Sequence, residues 1–400
     1  MFRHFILSTL AIIMACFCGA CTDAELCYDI EHPHNGNARF AFNWSAENSQ
    51  GKNIPDSMFV IADRIFNSWK CGLKTDSKTG EGRYLINGPE ATEEENSGAE
   101  EVTNDFSLRT GTYKMVTFNM DDTELDYSDV YTYMSDSKNE FKLQDIYVKY
   151  KSYHKNDPAL RKPTEVWMDY NPYSQYIQAE MPAVFFDTIE SAEIIYDKDI
   201  VCQFTPKPLT QDIEIIFRIQ KLGAIPFVVD SVIAEMSGIP HQVNLSNGYI
   251  DITKTYKMMF KLDMEDLNGT PFEEDNTTRK QLVCRKSINV TGIVGSNSAS
   301  MTNGPGIMQV LIFATAIDNS TGTEFKAKKK IQGKINLCNT INGANLIEYT
   351  EDGQHARRRT SKGTLNITTP LRIDGKTITE EEEDNSIDQW KTCSGIIVDI

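Results

Sequence analysis

The sequence predicts an all-β protein, built from antiparallel β-sandwiches that come after an N-terminal export signal. Three observations support this fold class. An apolar segment opens the chain, apolar and polar residues alternate with period two through most of the remaining sequence, and strand-sized runs end at Gly, Pro, Asn or Asp. At 400 residues, the chain is long enough for roughly two or three domains.

Residues 1–20 are predicted to form a secretory leader. Arg3 and His4 give it a short basic start, and residues 5–17 form an apolar core of 13 residues. This core is shorter than the roughly 20 apolar residues that a membrane-spanning helix needs. The segment is therefore predicted to be a signal peptide that is removed on export.

The end of the leader predicts a lipid anchor. Gly19 and Ala20 place small side chains directly before Cys21, as a lipoprotein signal peptidase requires. We predict cleavage after Ala20 and acylation of Cys21, with palmitate among the acyl chains. Acyl chains hold such a protein on a membrane while its body stays in water. Two alternatives stay open: a plain signal peptide in which Cys21 is incidental, and a competing lipidation site at Cys16.

The body of the chain alternates as half-buried strands do. In the first predicted strand, Phe40, Phe42 and Trp44 fall on one face. The clearest alternation lies in residues 211–221, where every second position is apolar: Ile213, Ile215, Phe217 and Ile219. Further strands are predicted at residues 113–119, 144–150, 192–196, 200–205, 227–234, 249–253, 256–262, 281–290, 307–316, 324–331 and 363–368.

Two segments are ambiguous by periodicity. The continuous apolar run at residues 58–66 fits a buried strand or a helix. We expect a few helical turns, for instance around residues 54–66 or 187–190.

The predicted domain boundary lies at residues 154–172. This polar stretch is interrupted by three prolines, Pro158, Pro163 and Pro172. It would separate an N-terminal β-sandwich domain, residues 21–153, from a C-terminal β-sandwich domain, residues 173–400. The second domain includes an acidic segment at residues 380–384 and ends in a short predicted strand.

The net charge and the lack of catalytic motifs argue against several classes of function. The 57 acidic and 40 basic residues give a net charge of −17, which argues against nucleic acid as the main partner, because phosphate binding needs a local excess of Lys and Arg. The six histidines form no HExxH motif, and no phosphate-binding loop or nucleophile elbow occurs. We predict no catalytic residues, no metal and no cofactor, so the protein is expected not to be an enzyme.

The cysteines outside the leader region indicate packing more than chemistry. Six remain after Cys16, Cys18 and Cys21 are set aside, and none forms a CxxC pair. Export permits disulfides, but the spacing does not identify partners. For most of the six, a small buried hydrophobic side chain is the better prediction.

Several motifs resemble the fimbrillin-like lipoproteins of Bacteroidales, in particular an uncharacterised branch with an LCYD…HPH motif after the lipidated cysteine. The matching segments are Leu26-Cys27-Tyr28-Asp29, His32-Pro33-His34, the strand end Phe42-Asn43-Trp44, the strand start Gly111-Thr112-Tyr113 and a turn at Ser237-Gly238-Ile239. They cover the leader, the first part of the mature chain and parts of its second half.

The resemblance implies two tandem transthyretin-like Greek-key β-sandwich domains after a lipoprotein signal peptide. It implies a fimbrial anchor, or an accessory or adhesive subunit of a fimbria (pilus), with the outer membrane and other fimbrial subunits as partners. Asp23 and Glu25, just after Cys21, are similar to the acidic signal for display on the cell exterior in this phylum.

The resemblance also implies assembly by strand exchange between subunits. A β-branched run ends the chain and is the candidate donor strand: Gly395, Ile396, Ile397, Val398, Asp399 and Ile400. Main-chain hydrogen bonds would supply its affinity, and alternate side chains its register. The alternative is that this run is only the closing strand of the second sandwich.

A different function would need aromatic platforms for sugars. One cluster is dense enough: Trp167, Tyr170, Tyr173 and Tyr176. It supports the alternative of a glycan-binding surface lipoprotein in an outer-membrane polysaccharide uptake system, with a host or glycan ligand. The competing interpretation of these rings is inter-domain packing.

Overall fold

The structure is a computed structural model that describes residues 34–376, except for 67–68, 87–101, 137, 139, 164–172, 180, 270, 272–277 and 319–324. The chain is all-β with sandwich-like sheets, which confirms the predicted fold class. The leader with Ala20 and Cys21 lies outside the described residues, and so does the candidate donor strand at 395–400.

Strands account for most of the described chain. Those of the first half are β1 (Asn35–Phe42), β2 (Ser57–Arg64), β3 (Lys70–Asp76), β4 (Gly82–Ile86), β5 (Phe106–Arg109), β6 (Gly111–Phe118), β7 (Leu125–Asp126), β8 (Tyr147–Tyr150), β9 (Tyr153–His154), β10 (Gln175–Ile177), β11 (Phe185–Ile194), β12 (Asp199–Phe204) and β13 (Lys207–Pro208). Those of the second half are β14 (Gln211–Leu222), β15 (Phe227–Asn244), β16 (Ile250–Glu265), β17 (Gln281–Val290), β18 (Ile307–Asp318), β19 (Phe325–Asn336), β20 (Ile347–Tyr349), β21 (His355–Arg358), β22 (Lys362–Asn366) and β23 (Leu371–Asp374). The short helices are α1 (Ala46–Ser49), α2 (Ser128–Ser135) and α3 (Cys338–Ala344), with a 3-10 turn at Leu143–Asp145.

A two-layer arrangement, here called the N-terminal sandwich, forms first along the chain. One layer is a three-stranded sheet of order β12–β1–β5, and the other is a six-stranded sheet of order β13–β11–β6–β2–β3–β4. β1 lies between a parallel partner, β12, and an antiparallel partner, β5. Ala38 and Phe40 of β1 are buried because alternate residues of a strand point to the same face.

Aromatic rings pack together in the core of the N-terminal sandwich. The Phe40 ring packs against those of Phe106 and Phe204, with centroids 5.3 and 6.2 Å away. Gly80 ends the turn after β3 with φ +77°, and a Cβ there would lie 1.9 Å from the carbonyl oxygen of Phe40. Only glycine fits this close approach of two backbone segments.

The second arrangement, here called the large sheet, runs in the order β19–β18–β15–β16–β17–β14–β22, with shorter strands attached to it. β16 pairs with β15 over most of its length and with β17 at its C-terminal end. The apolar faces of these strands share one continuous core, so the sheet folds over on itself.

β14 confirms the clearest alternation in the sequence. Ile213, Ile215, Phe217 and Ile219 are at most 1% exposed, whereas the residues between them are partly exposed. β14 is central in its sheet, with β17 on one side and β22 and β23 on the other. One face therefore lies in the core of the large sheet.

Strand pairing does not follow the predicted division at residues 154–172. β8 and β10 pair with β15 and β16 of the large sheet, whereas β11 and β12, which come later, pair with β6 and β1. The chain leaves the N-terminal sandwich after β6 and returns to complete it after the predicted linker. A run of prolines is a local signal and cannot report such distant pairing.

Both segments expected to contain helical turns are strands. β2 occupies residues 57–64 and β11 occupies residues 185–194. The apolar run in β2 is continuous because the six-stranded sheet is covered on both faces. Val60 packs in the N-terminal sandwich, whereas Phe59 and Ile61 pack in the core of the large sheet.

Polar contacts join the N-terminal sandwich to the large sheet. The Lys52 ammonium donates to Asp212 Oδ1 at 2.6 Å and to Asn289 Oδ1 at 2.7 Å, and burial lowers the pKa of Lys52. The Arg358 guanidinium donates to Gln50 Oε1 at 2.9 Å. Burial lowers the pKa of Arg358 to about 10, so the junction holds two cations away from bulk water.

The turn predicted at Ser237-Gly238-Ile239 is a β-bulge inside β15, with φ +98° at Gly238.

Four of the six cysteines outside the leader region are described, and all four are free and buried: Cys71, Cys202, Cys284 and Cys338. This confirms the packing role predicted for most of them; Cys27 and Cys393 lie outside the described residues.

Candidate binding surface

The structure separates the four predicted platform residues. Trp167 and Tyr170 lie outside the described residues. Tyr173 is 87% exposed, whereas Tyr176 is only 1% exposed. Tyr176 therefore does not present its ring to solvent, which corrects the prediction that it forms part of a sugar platform.

Tyr176 is buried because β10 adds to the edge of β16 as a parallel strand. Its ring lies in a small apolar cluster with Leu160 and Met259, and Tyr153 packs against this cluster. Its hydroxyl donates a hydrogen bond to Glu235 Oε2 at 2.9 Å. Tyr176 thus packs within the large sheet and the strands attached to it, and these contacts are not between domains.

Glu235 is the charged group around which this face is arranged. It is 3% exposed, and the Lys257 ammonium donates to its Oε1 atom at 2.7 Å. Lys257 also lies over the Tyr176 ring, 5.9 Å from its centroid. A buried carboxylate is stable only when it is paired and hydrogen-bonded, and both of its oxygens have such a partner here.

Cross-strand register extends this arrangement into a polar row. Glu235 of β15 lies opposite Gln309 of β18, which lies opposite Lys334 of β19. Directly opposite residues of an antiparallel pair point to the same face. Together with Lys257, these side chains line a cavity of about 380 Å³, called the Glu235 cavity below.

A loop at residues 302–304 forms the rim of the Glu235 cavity. The Ser237 hydroxyl donates to the Gly304 carbonyl at 2.6 Å and accepts from the Ile307 amide at 3.1 Å. Ser237 lies at the β-bulge, so the bulge directs a hydroxyl that fixes the loop. The rim of the cavity is therefore held by hydrogen bonds within the protein.

This cavity could not be predicted from the sequence. Its residues lie far apart in the chain and meet only through strand register. One local signal was available: Glu235 interrupts the apolar run Ala234-Glu235-Met236. A charged residue amid buried neighbours in a strand needs a partner, but the sequence does not name that partner.

Three of the four described thiols are poor nucleophiles. Burial raises the pKa of Cys202 to about 11 and raises those of Cys71 and Cys284 further, and the thiolate is the reactive form. Within the described ranges, no group of three or more His, Cys, Asp or Glu side chains could hold a metal ion. No helix in the part of the chain that the structure covers is both long and apolar enough to cross a membrane.

Comparisons with known proteins give likeness in fold at low identity. The chain matches no known protein family and no curated protein. It is similar to an adhesin candidate from Bacteroides ovatus, with 8% identity and a TM-score of 0.42 over 89% of this chain and 96% of that one. It is also similar to a fimbrial anchor protein from Porphyromonas gingivalis, with 10% identity and a TM-score of 0.35 over 78% and 86%. A candidate polysaccharide-binding protein from Bacteroides thetaiotaomicron has 10% identity and a TM-score of 0.35 over 82% and 89%.

Proposed function

We propose that this protein is a lipid-anchored lipoprotein of the outer membrane, displayed on the cell exterior. It serves as a fimbrial anchor or as an accessory or adhesive subunit, and it is not catalytic. The observation that supports the proposal is an apolar N-terminal segment ending in Gly19-Ala20-Cys21, in front of a chain that folds into β-sandwich layers. A lipid tether followed by rigid sheets suits adhesion by surface contact.

Assembly would use strand donation from residues 395–400. An extended segment adds to a sheet by pairing with exposed main-chain groups at an edge. Deletion of residues 394–400 tests this step. Loss of polymer incorporation with unchanged monomer stability supports donation, whereas loss of monomer folding shows that the segment closes the protein's own sheet.

Metabolic labelling with an alkyne palmitate analogue tests the anchor. The wild-type protein and a Cys16→Ser variant should be labelled and should stay with membranes in alkaline carbonate. A Cys21→Ser variant should lose the label and enter the soluble fraction. Equal labelling of Cys21→Ser and wild type would contradict the anchor at Cys21.

Electron microscopy tests the fimbrial role. Cells without this protein should carry fewer or detached fimbriae, and antibodies should label the protein on intact wild-type cells. Unchanged fimbriae together with no surface labelling would overturn the proposal.

A second candidate is a glycan-binding lipoprotein that accompanies a polysaccharide uptake system. The observation that favours it is the exposure of Tyr173 in the segment that leads into the outer face of the large sheet. Glycan-array binding that disappears in a Trp167→Ala, Tyr173→Ala double variant, on cells without fimbriae, would favour this function over the first.

A further inference from the structure

We propose that the Glu235 cavity binds one sugar residue that carries a carboxylate, such as a uronic acid. This site is distinct from the predicted aromatic platform, since neither Tyr173 nor Tyr176 lines the cavity. It is also independent of the lipid anchor and of strand donation, so its test can fail while the proposed function holds.

The Gln309 amide is available to a ligand in the cavity. Gln309 is 4% exposed and lines the cavity. Its side chain has no hydrogen bond to any residue that the structure describes, and its polar atoms are not among the fully buried ones. The amide therefore offers both a donor and an acceptor to the cavity. A ligand hydroxyl can use both.

The charged side chains that line the cavity do not balance one another. Glu235 is neutralised by Lys257 at 2.7 Å. The Lys334 ammonium contacts only the Asn303 side-chain oxygen, at 3.3 Å, and has no carboxylate partner in the described chain. The cavity thus carries one positive charge in excess, which a ligand with a single carboxylate would neutralise.

Two strands that carry the cavity, β15 and β18, leave no edge to which a peptide strand could add. β15 is paired with β16 and β18, and β18 is paired with β15 and β19. Their main-chain groups are therefore occupied, so a peptide cannot add as a strand at the cavity. Recognition must come from side chains, and Gln309, Asn303 and Lys334 match the hydroxyls and carboxylate of an acidic sugar.

The volume of the cavity and its fixed rim suit a single sugar residue. A volume of about 380 Å³ lies at the lower end of known ligand sites, which span about 300–1,000 Å³. The rim is already fixed by Ser237, so little ordering is required on binding. One sugar ring with its substituents fits this space, and the rest of a chain would leave through the open side.

The test is a titration of the full mature chain with methyl β-glucuronide and with methyl β-glucoside, which differ only in the carboxylate. Calorimetry or ligand-observed NMR should show the glucuronide binding about ten-fold tighter, a difference of about 1.4 kcal/mol. Lys334→Gln should remove this preference. Gln309→Leu should weaken both ligands about ten-fold.

Lys261→Gln is the matched control, since Lys261 is an exposed lysine of β16 outside the cavity. It should leave both affinities unchanged. Thermal unfolding of each variant separates lost binding from lost folding, and Lys334→Gln, at a partly exposed position, keeps the test valid if Gln309→Leu does not fold. Cys21→Ser should bind the glucuronide as the wild type does.

Three results would overturn the proposal. The first is equal binding of glucuronide and glucoside in the wild-type protein. The second is an equal loss of affinity in Lys334→Gln and Lys261→Gln. The third is competition by acetate or by an acidic tripeptide at the concentration of the glucuronide, which would reduce the site to a general anion site.

Discussion

The N-terminal sandwich and the large sheet are assembled from the chain in different ways. In the large sheet, β15, β16 and β17 come one after another as antiparallel neighbours, and β18 and β19 do the same. In the N-terminal sandwich, β1 pairs in parallel with β12, and Ala38 lies opposite Ile200. The N-terminal sandwich depends on a distant segment for closure, whereas the large sheet combines these consecutive pairs with distant ones, such as β14 with β17 and β22.

The two cores also differ in the side chains that fill them. The N-terminal sandwich contains a compact group of rings, whereas the large sheet has a long and mainly aliphatic core. Loss of one ring should therefore disturb a larger share of the smaller core. Four experiments test this contrast.

The largest effect should come from cutting the chain at the predicted linker. A fragment of residues 34–172 lacks β11, β12 and β13 and leaves one edge of β1 and one edge of β6 without a partner strand. We expect it to show no cooperative unfolding, whereas a chain of residues 34–376, which contains both layers and the large sheet that covers them, should retain it. Near-UV circular dichroism during urea titration measures the difference. Cooperative unfolding of the shorter fragment would mean that β11 and β12 are dispensable.

Phe204→Ala should give the next largest effect. Phe204 is fully buried and stacks on Phe42, with ring centroids 5.7 Å apart. Truncation of a buried phenylalanine costs about 3–5 kcal/mol, and the loss should appear as faster hydrogen exchange in β1 and β12. Phe260→Ala in the large sheet is the matched control, and it should leave exchange in β1 nearly unchanged. Equal effects of both variants on β1 would show that the two cores unfold as one unit.

Gly80→Ala should be more damaging than Gly363→Ala. The added methyl at Gly80 meets the backbone carbonyl of Phe40 and needs a positive φ, whereas at Gly363 it meets only the end of the Leu346 side chain, at 2.1 Å. We expect a loss of about 2 kcal/mol or more for Gly80→Ala and less than about 1 kcal/mol for Gly363→Ala. Urea unfolding provides the measurement, and a reversed order would contradict the rigid approach of the turn to β1.

Tyr113→Phe should lower the free energy of unfolding the least, and the size of this loss should depend on pH. The Tyr113 hydroxyl donates to the Arg109 carbonyl at 2.7 Å, so its loss should cost about 1 kcal/mol at neutral pH. Burial raises the pKa of Tyr113, so the fold favours the neutral phenol. That contribution is complete below the unfolded pKa of about 10 and is lost as the pH rises through the folded pKa.

The Tyr113→Phe variant should therefore lose stability less steeply than the wild type above pH ~10. Tyr131→Phe is the control, because Tyr131 is 55% exposed; it should match the wild type throughout. Parallel pH profiles of wild type and Tyr113→Phe would show that this phenol titrates alike in both states.

The sequence predicts well where burial is one-sided. β14 alternates because one face lies in the core, and its period could be seen directly. β2 could not be assigned in the same way, since its two faces pack in different cores and its run is continuous. Periodicity reports how many faces are buried, and it identifies a strand only when that number is one.

Pairing partners and the Glu235 cavity were beyond sequence reasoning for a common reason. The link from Glu235 through Gln309 to Lys334 arises from register across three strands, and no spacing in the chain records it. The aromatic cluster at residues 167–176 was visible because its members are close in sequence. Closeness in sequence did not predict exposure, since Tyr173 and Tyr176 have opposite environments.

The position of β1 between two partners has a mechanical consequence. β1 is aligned with six residues of β12 on one side and four of β5 on the other. A pull along its axis from the N-terminal direction, as from a tether at Cys21, would load both ladders in shear. In shear, the hydrogen bonds of a ladder share the force. In a peeling geometry, the same force would break them one after another. The first described strand after the proposed tether is therefore held where drag on a cell surface would act.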